Sequence, residues 1–213
     1  MYNPSRFAET RPDVLHTLIR QHPLATLVTH GADGLAADHI PFEFGAPTEA
    51  APHGVLRAHV ARANPLWQLS GTDVLAIFQG PSAYISPSLF AEKAISGKVV
   101  PTWNYATVHA SGIMTAIEDK AWLLALVNRL TDRHEAARAA PWAVADAPRP
   151  YIDAMVNAIV GIEIPIARLQ GKWKINQDDS AADRVQIAAG LGAEHARGSA
   201  AVGSIMQARL PEA

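Results

Sequence analysis

The chain has no cysteine, and this absence excludes a disulfide framework, a thiolate metal site and a cysteine nucleophile together. It also has no apolar run near the roughly 18 residues that a membrane span needs. The first residues, MYNPSRFAETRPD, lack the apolar segment of a signal peptide. We therefore expect a cytoplasmic protein without a membrane partner, and its 213 residues are enough to form a core without covalent links.

An excess of positive charge is also absent. The chain has 18 basic and 20 acidic side chains, a formal net charge of −2, which supplies no overall attraction for nucleic acid or anionic lipid. The nearest local basic patch is Arg129, Arg133 and Arg138 on a predicted helix, where Asp132 and Glu135 dilute it. The charge pattern therefore predicts weak direct DNA binding.

Several catalytic motifs are missing. There is no G-x-G-x-x-G after a strand, no GxxxxGK[ST], no HExxH and no G-x-S-x-G, so dinucleotide-fold, P-loop, metalloprotease and lipase interpretations have no basis. The nine histidines are scattered, and none pairs with a second ligand at metal-binding spacing on one predicted element. The sequence therefore predicts no metal site.

Hydrophobic periodicity and turn residues predict several closely spaced strands with helices between and after them. The pattern indicates helices at 10–22, 118–135 and 148–158, a short helix at Pro65, strands at 24–30, 35–44, 54–60, 73–78 and 107–117, and a strand at 160–175 interrupted at Pro165. Residues 79–105 are rich in proline, aromatics and hydroxyls, which is typical of a site loop. The predicted fold is α+β, a small barrel decorated by helices, with residues 1–178 and a helical or frayed tail at 179–213 in one domain.

The segment His59-Val-Ala-Arg62-Ala-Asn64-Pro65 lies where a strand meets a short helix. An arginine beside a helix start is well placed to hold a phosphate in a bidentate manner. The alternative is that Arg62 is a solvated residue and that Asn64 only caps the helix at Pro65.

Two further segments, 79–87 and 100–105, supply flat aromatic rings, hydroxyls and an amide. A planar polar cofactor such as an isoalloxazine ring uses this mixture for stacking and for hydrogen bonds at its edge. The alternative is that Trp103 and Tyr105 are core aromatics at a barrel end. A fourth segment, GKWK, places Lys172 and Lys174 on one strand face and Trp173 on the other. Either the segment is a solvated edge, or the two lysines point inward and protect an edge strand from pairing.

In this order, the segments HVARANPLW, FQGPSAYISPS, VPTWNY with Val108-His109, TDRHE, IVGIEI and GKWKINQ, after an N-terminal MYNP and Phe7, resemble the PaiB-type family of FMN-binding negative transcriptional regulators, which is related to pyridoxamine 5′-phosphate oxidase. The resemblance covers most of the chain. It implies an FMN-binding split β-barrel and a homodimer with FMN where two subunits meet. It implies that Arg62 holds the flavin phosphate, with His59 and Asn64 nearby. It also implies that the cofactor is lined by Ser82, Tyr84, Ile85 and Ser86, and that its ring end is closed by Thr102, Trp103, Asn104 and Tyr105.

The chain departs from the family pattern in two places. The motif at the end of the last strand carries Asn176 and Asp178, where the family usually has serine and asparagine, and the repelling charge of Asp178 leaves it outside the predicted site. Leu89-Phe90 replaces the family aromatic after ISPS, which changes the shape of that wall.

Three functions are compatible with these residues. The first is a flavin-binding dimer that acts on transcription, as the family description says. The second is an FMN-dependent oxidoreductase that uses NAD(P)H and a small substrate, for which only His59, His109 and Tyr105 are candidates for proton transfer. The third is a module that holds FMN or haem without turnover.

Overall fold

The structure is a computed structural model that describes residues 1–194, 196 and 198–210. The helices in this part of the chain are α1 (Pro12–Gln21), α2 (Glu92–Ile95), α3 (Lys120–Glu135), α4 (Arg149–Asn157), α5 (Ala181–Ala193) and α6 (Ser199–Gln207). The strands are β1 (Ala8–Glu9), β2 (Leu24–Gly31), β3 (Gly34–Pro41), β4 (Glu43–Gly45), β5 (Val55–Ala61), β6 (Asp73–Ile85), β7 (Thr102–Ile113), β8 (Thr115–Ile117), β9 (Ile159–Pro165) and β10 (Arg168–Lys174). This content confirms the predicted α+β class, and it confirms the helices at α1, α3 and α4 to within a few residues.

The chain divides into two compact units. Unit 1 contains residues 1–18, 79–108 and 170–213, and unit 2 contains residues 19–78 and 109–169. The backbone of α1, β6, β7 and β10 passes from one unit to the other. The prediction that residues 1–178 and the tail form one domain stays a prediction, and residues 195, 197 and 211–213 of that tail lie outside the described residues.

Unit 2 is built on antiparallel strand pairs. In one sheet β2 lies between β3 and the first part of β6, and a second sheet has the order β4-β5-β9-β8. The predicted hairpin of β2 and β3 is confirmed, and its turn ends at Gly34 with a φ of +100°, a backbone conformation that favours glycine. Leu56, Ile162 and Ile164 are fully buried because alternate residues of β5 and β9 point into the same core.

Helix α3 covers part of this core. The Asp119 side chain accepts a hydrogen bond from the backbone N–H of Trp122 and so caps the helix start. Leu123 and Leu126 are fully buried. The Trp122 ring packs directly on Gly161 of β9, where an added Cβ would overlap the ring. Glycine at this position therefore lets the helix approach the strand.

Unit 1 has the strand order β1-β10-β7-β6, formed by the parts of β6, β7 and β10 that belong to it. Helices α5 and α6 bury Ile187, Leu191, Val202 and Met206 against Ile85 of β6 and neighbouring apolar side chains. Burying a side chain of this size contributes roughly 1.5–3 kcal/mol. The tail is therefore part of the core of unit 1, and the frayed alternative is wrong for its described residues.

Two element predictions need correction. Residues 79–85 continue β6 and residues 102–105 begin β7, so the predicted site loop is limited to residues 86–101. Ala83 and Ile85 are buried while Tyr84 is half exposed, a strand alternation that Pro81 and the aromatics concealed. The interruption predicted at Pro165 within residues 160–175 is confirmed, but it separates two strands, since β9 ends at Pro165 and β10 begins at Arg168.

Candidate functional site

The eleven predicted site residues fall into two groups. His59, Arg62 and Asn64 belong to unit 2, at the end of β5 and the turn that follows it. The other eight belong to unit 1, on β6 and β7 and at the residue after β6. The contacts of each group are described separately, because each is built from its own unit.

Asn64 has both ends of its amide engaged. Its Oδ1 accepts a hydrogen bond from the backbone N–H of Leu66 at 2.9 Å, and its Nδ2 donates to Asp38 Oδ1 at 2.9 Å. The first bond caps a short 3₁₀ helix, Pro65–Leu69. The capping role that the sequence suggested for Asn64 is therefore present in the fold.

Arg62 uses all three guanidinium nitrogens within unit 2. Its Nε donates to the Asn157 carbonyl at 3.0 Å, its Nη2 to the Ile159 carbonyl at 3.2 Å, and its Nη1 to Glu118 Oε2 at 2.5 Å. The Arg62 and Glu118 side chains remain 40% and 58% exposed. Three of the five guanidinium N–H groups are used in this way, so a phosphate would have to bind the remaining two beside the Glu118 carboxylate, whose charge repels it.

His59 lies on β5 opposite Gly161. Burial lowers the pKa of the His59 imidazole from its usual range, so the neutral form dominates at pH 7. Its Nδ1 is buried and has no hydrogen-bond partner among the described residues. A neutral imidazole can still donate from one nitrogen and accept at the other.

The most exposed members of the unit 1 group are two aromatic side chains. Tyr84 on β6 is 49% exposed and Trp103 on β7 is 57% exposed. Their ring centroids are 6.0 Å apart and their planes meet at 68°, an edge-to-face contact. Two large aromatic rings that touch each other and stay half exposed leave ring surface for a ligand. We call this pair the aromatic platform.

Lys174 holds the start of β7 from the neighbouring strand β10. Its ammonium donates to Thr102 Oγ1 at 2.5 Å and to the Trp103 carbonyl at 2.9 Å. These bonds fix the backbone that carries the Trp103 ring. Burial lowers the pKa of Lys174, although the nearby Tyr105, Asp178 and Asp179 act in the opposite direction.

Tyr105 lies near a second lysine on the same face of β10. The ammonium of Lys172 is 5.4 Å from the centroid of the Tyr105 ring and 5.6 and 5.9 Å from those of Tyr2 and Phe7, and it donates to the Tyr2 carbonyl at 3.1 Å. Lys172 is only 8% exposed, so its charge is stabilised by ring faces and one carbonyl. Both alternatives for this strand assumed a sheet edge and are wrong, because β10 lies between β1 and β7.

The remaining unit 1 residues have buried or local roles. Asn104 is fully buried and its Nδ2 donates to Asn176 Oδ1 at 2.5 Å, while its Oδ1 has no partner among the described residues. Ile85 is fully buried in the core, so neither its side chain nor its backbone is exposed to a ligand. Ser86 caps the short helix after β6 by accepting from the Ser88 N–H, and the Ser82 carbonyl lies against Gly198.

The site predicted from the sequence did not include Lys172 and Lys174. The alternation in GKWK indicated that the two lysines share one strand face. Their contacts with β7 could not be predicted, because the sequence does not show which strands are neighbours. Asn176, with a φ of +58° and a bond to Asn104, was seen only as a departure from the family pattern. Among the residues that the structure describes, no three His, Asp or Glu side chains come together as a metal site.

The comparisons with known proteins identify the family. The family model described as "Putative FMN-binding domain" matches residues 1–168, so the chain belongs to this FMN-binding family. Protein AN0679 of Emericella nidulans is 34% identical over 226 residues, which cover 90% of each chain. Protease synthase and sporulation protein PAI 2 of Bacillus subtilis is 27% identical over 212 residues, which cover 99% of this chain and 98% of that protein. These matches confirm the predicted PaiB-type family and agree with FMN as the cofactor.

A solved structure supports the fold. The FAD and heme binding protein from Mycobacterium smegmatis matches with a TM-score of 0.58 and 20% identity, over 86% of this chain and 80% of that one. At this identity the match shows the fold alone, and it confirms the predicted α+β class. Within the described residues, no helix is long and apolar enough to cross a membrane.

The aromatic platform and Arg62 differ in how well they fit a flavin. The aromatic platform offers exposed ring faces, which an isoalloxazine ring requires. Arg62 offers a guanidinium that is already bonded to a carboxylate and two carbonyls. The ring role is therefore the better supported of the two, because a phosphate at Arg62 would lie beside the Glu118 carboxylate.

Proposed function

We propose that this protein binds FMN and that the aromatic platform of Tyr84 and Trp103 takes the isoalloxazine ring. The observation that carries this proposal is the half exposure of two touching aromatic rings in a chain of the FMN-binding family. Lys174 supports the role because it fixes the Trp103 backbone. When bound, FMN supplies one- and two-electron redox chemistry, while the protein positions it.

A flavin titration tests the proposal. Wild-type apoprotein should quench FMN fluorescence saturably, and Trp103→Ala should weaken the affinity by roughly 5- to 150-fold, because stacking on an aromatic ring is worth about 1–3 kcal/mol. Trp142→Ala is the matched control, since Trp142 is 46% exposed and belongs to unit 2. Absence of saturable quenching in the wild type would refute FMN binding, and equal affinity in wild type and Trp103→Ala would refute the ring role.

We also propose that the protein acts as a cytoplasmic homodimer. Unit 1 exposes Ile95 and Val100, at 79% and 74%, in addition to the aromatic platform, and exposed apolar surface of this kind favours cover by a partner. Native mass spectrometry of the apo and FMN-loaded protein tests the dimer, and a monomer in both would contradict it. The lack of cysteine is compatible with the cytoplasm.

We further propose that the dimer acts on transcription, as the family resemblance implies, without strong direct DNA binding. Arg129 pairs with Glu43 at 2.7 Å, Arg138 pairs with Glu135 at 2.9 Å, and Arg133 donates to the Arg20 carbonyl. Two of these arginines are paired with carboxylates, which weakens their attraction for a phosphate. Salt-sensitive, sequence-specific retardation of promoter DNA by the pure protein would contradict this part of the proposal.

A further inference from the structure

Unit 1 contains a cavity that the two rings of the aromatic platform do not line. Its volume is about 430 Å³, within the range of small-molecule sites. Phe7, Phe90 and Val99 supply an apolar wall, and Thr102 and Lys174 supply a polar one. Phe7 and Phe90 are each 7% exposed, so the apolar wall is part of the packed structure.

Lys174 is the partly buried cation of this cavity. Two of its three N–H groups are accounted for by the bonds to Thr102 and the Trp103 carbonyl, both neutral acceptors. The third N–H remains for a ligand. Burial lowers the pKa of Lys174, so an anion placed against the ammonium would offset part of the cost of keeping it charged.

The carboxylates that line the cavity outnumber its cations, which are Arg6, Lys98 and Lys174, and so limit the charge of that anion. Asp178 pairs with Arg6 at 3.2 Å, and Asp179 accepts from the Asn176 amide at 2.5 Å. Asp183 accepts from the Ser180 hydroxyl at 2.7 Å, and Glu92 accepts from the Ser96 hydroxyl. An excess of carboxylates over cations in the lining repels a dianion about twice as strongly as a monoanion. The cavity therefore suits a single negative charge better than a phosphate.

We propose that this cavity binds a small monocarboxylate with an apolar body. Lys174 holds the carboxylate through its third N–H, and Phe7 and Phe90 contact the apolar body. Because Thr102 is both on the cavity wall and next to Trp103, the bound acid lies beside the strand that carries the aromatic platform. The proposal concerns the apoprotein and does not depend on FMN binding.

Calorimetric titration of the apoprotein with benzoate tests the proposal. Benzoate should bind saturably below about 10 mM, a range in which a Kd near 1 mM is measurable. Lys174→Gln should weaken binding by about 10- to 150-fold, since a hydrogen bond to a charged group is worth about 1.5–3 kcal/mol. Lys93→Gln is the matched control, because Lys93 is exposed on α2 and does not line the cavity.

Three further measurements decide the ligand class and guard against misfolding. Benzamide, a neutral analogue, should bind at least tenfold more weakly than benzoate, and inorganic phosphate should not compete. Val100→Trp places a bulky ring at an exposed position of the rim and should abolish benzoate binding with an unchanged melting temperature, whether or not Lys174→Gln folds. The proposal is overturned by equal binding of benzoate and benzamide, by tighter binding of phosphate, or by full benzoate affinity in a folded Lys174→Gln or Val100→Trp protein.

Discussion

The two groups of predicted site residues differ in what their side chains already do. Around Arg62 and Asn64, in unit 2, the polar atoms are bonded to carbonyls, a carboxylate and a helix start. At Tyr84 and Trp103, in unit 1, large rings stay half exposed above a buried core. Polar residues satisfied by their own chain are explained by the fold, whereas a pair of exposed aromatic rings calls for a ligand or partner.

The first test weakens the core of unit 1 that contains Ile85, the neighbour of Tyr84, and leaves the aromatic platform unchanged. Leu191 on α5 is fully buried in the cluster that contains Ile85. Leu191→Ala should lower the free energy of unfolding by about 2–5 kcal/mol through lost burial and the cavity left behind. Urea denaturation measures this, and Val185→Ala, at a residue 52% exposed on the same helix, should change it by less than about 0.5 kcal/mol. Similar losses in both variants would contradict a buried tail.

The second test compares a buried engaged charge with the exposed Arg62 pair. Glu9 is 5% exposed. Burial alone would raise its pKa, but hydrogen bonds from Arg11 and Arg209 outweigh it and lower the pKa to about 2 from 4.5. Because the folded-state pKa is depressed, the stabilisation is complete above the unfolded pKa and is lost as the pH falls from about 4.5 to about 2. At pH 7 it amounts to about 3 kcal/mol.

Stability measured by urea denaturation between pH 7 and pH 3 tests this role of Glu9. Wild type should lose stability over the window, and Glu9→Gln should start lower and show a flatter profile. The corresponding loss for Arg62→Ala at pH 7 should be near 1 kcal/mol, because that ion pair is exposed. An unchanged acid profile in Glu9→Gln would show that Glu9 is not the group responsible.

The third test removes the Tyr84 ring of the aromatic platform. Tyr84→Ala should weaken FMN affinity by roughly 5- to 30-fold, the lower part of the stacking range, since Trp103 remains. Tyr151→Ala is the control, because Tyr151 is 56% exposed on α4. Fluorescence titration measures both variants. If Tyr151→Ala weakened FMN binding as much as Tyr84→Ala, exposure of an aromatic ring would not be the feature that selects the site.

The sequence was informative where a local rule decides the structure. The hairpin at Gly34, the Asn64 cap and the periodic helix α3 could be predicted because each depends on residues close together in the chain. The continuation of β6 through Pro81, the burial of Lys172 and the bond between Asn104 and Asn176 could not, because each depends on which strands become neighbours. For the site, the sequence identified the aromatic residues but could not show that Arg62 already has a carboxylate partner.

The last test, which has the smallest expected change in FMN affinity, determines whether Arg62 holds the flavin phosphate. Glu118→Gln removes the carboxylate that occupies Nη1 and leaves the two carbonyl contacts that hold the guanidinium in place. If Arg62 holds the flavin phosphate, FMN affinity should rise by up to about fivefold at low salt, the value of an exposed ion pair, and the gain should shrink as salt increases. Riboflavin, which has no phosphate, should bind wild type and Glu118→Gln equally. Asp153→Asn, which breaks the exposed pair with Arg149 in the same unit, controls for the change in net charge. An equal gain for riboflavin, or no gain for FMN, would assign Arg62 to the fold alone and leave the platform as the flavin-binding feature of this chain.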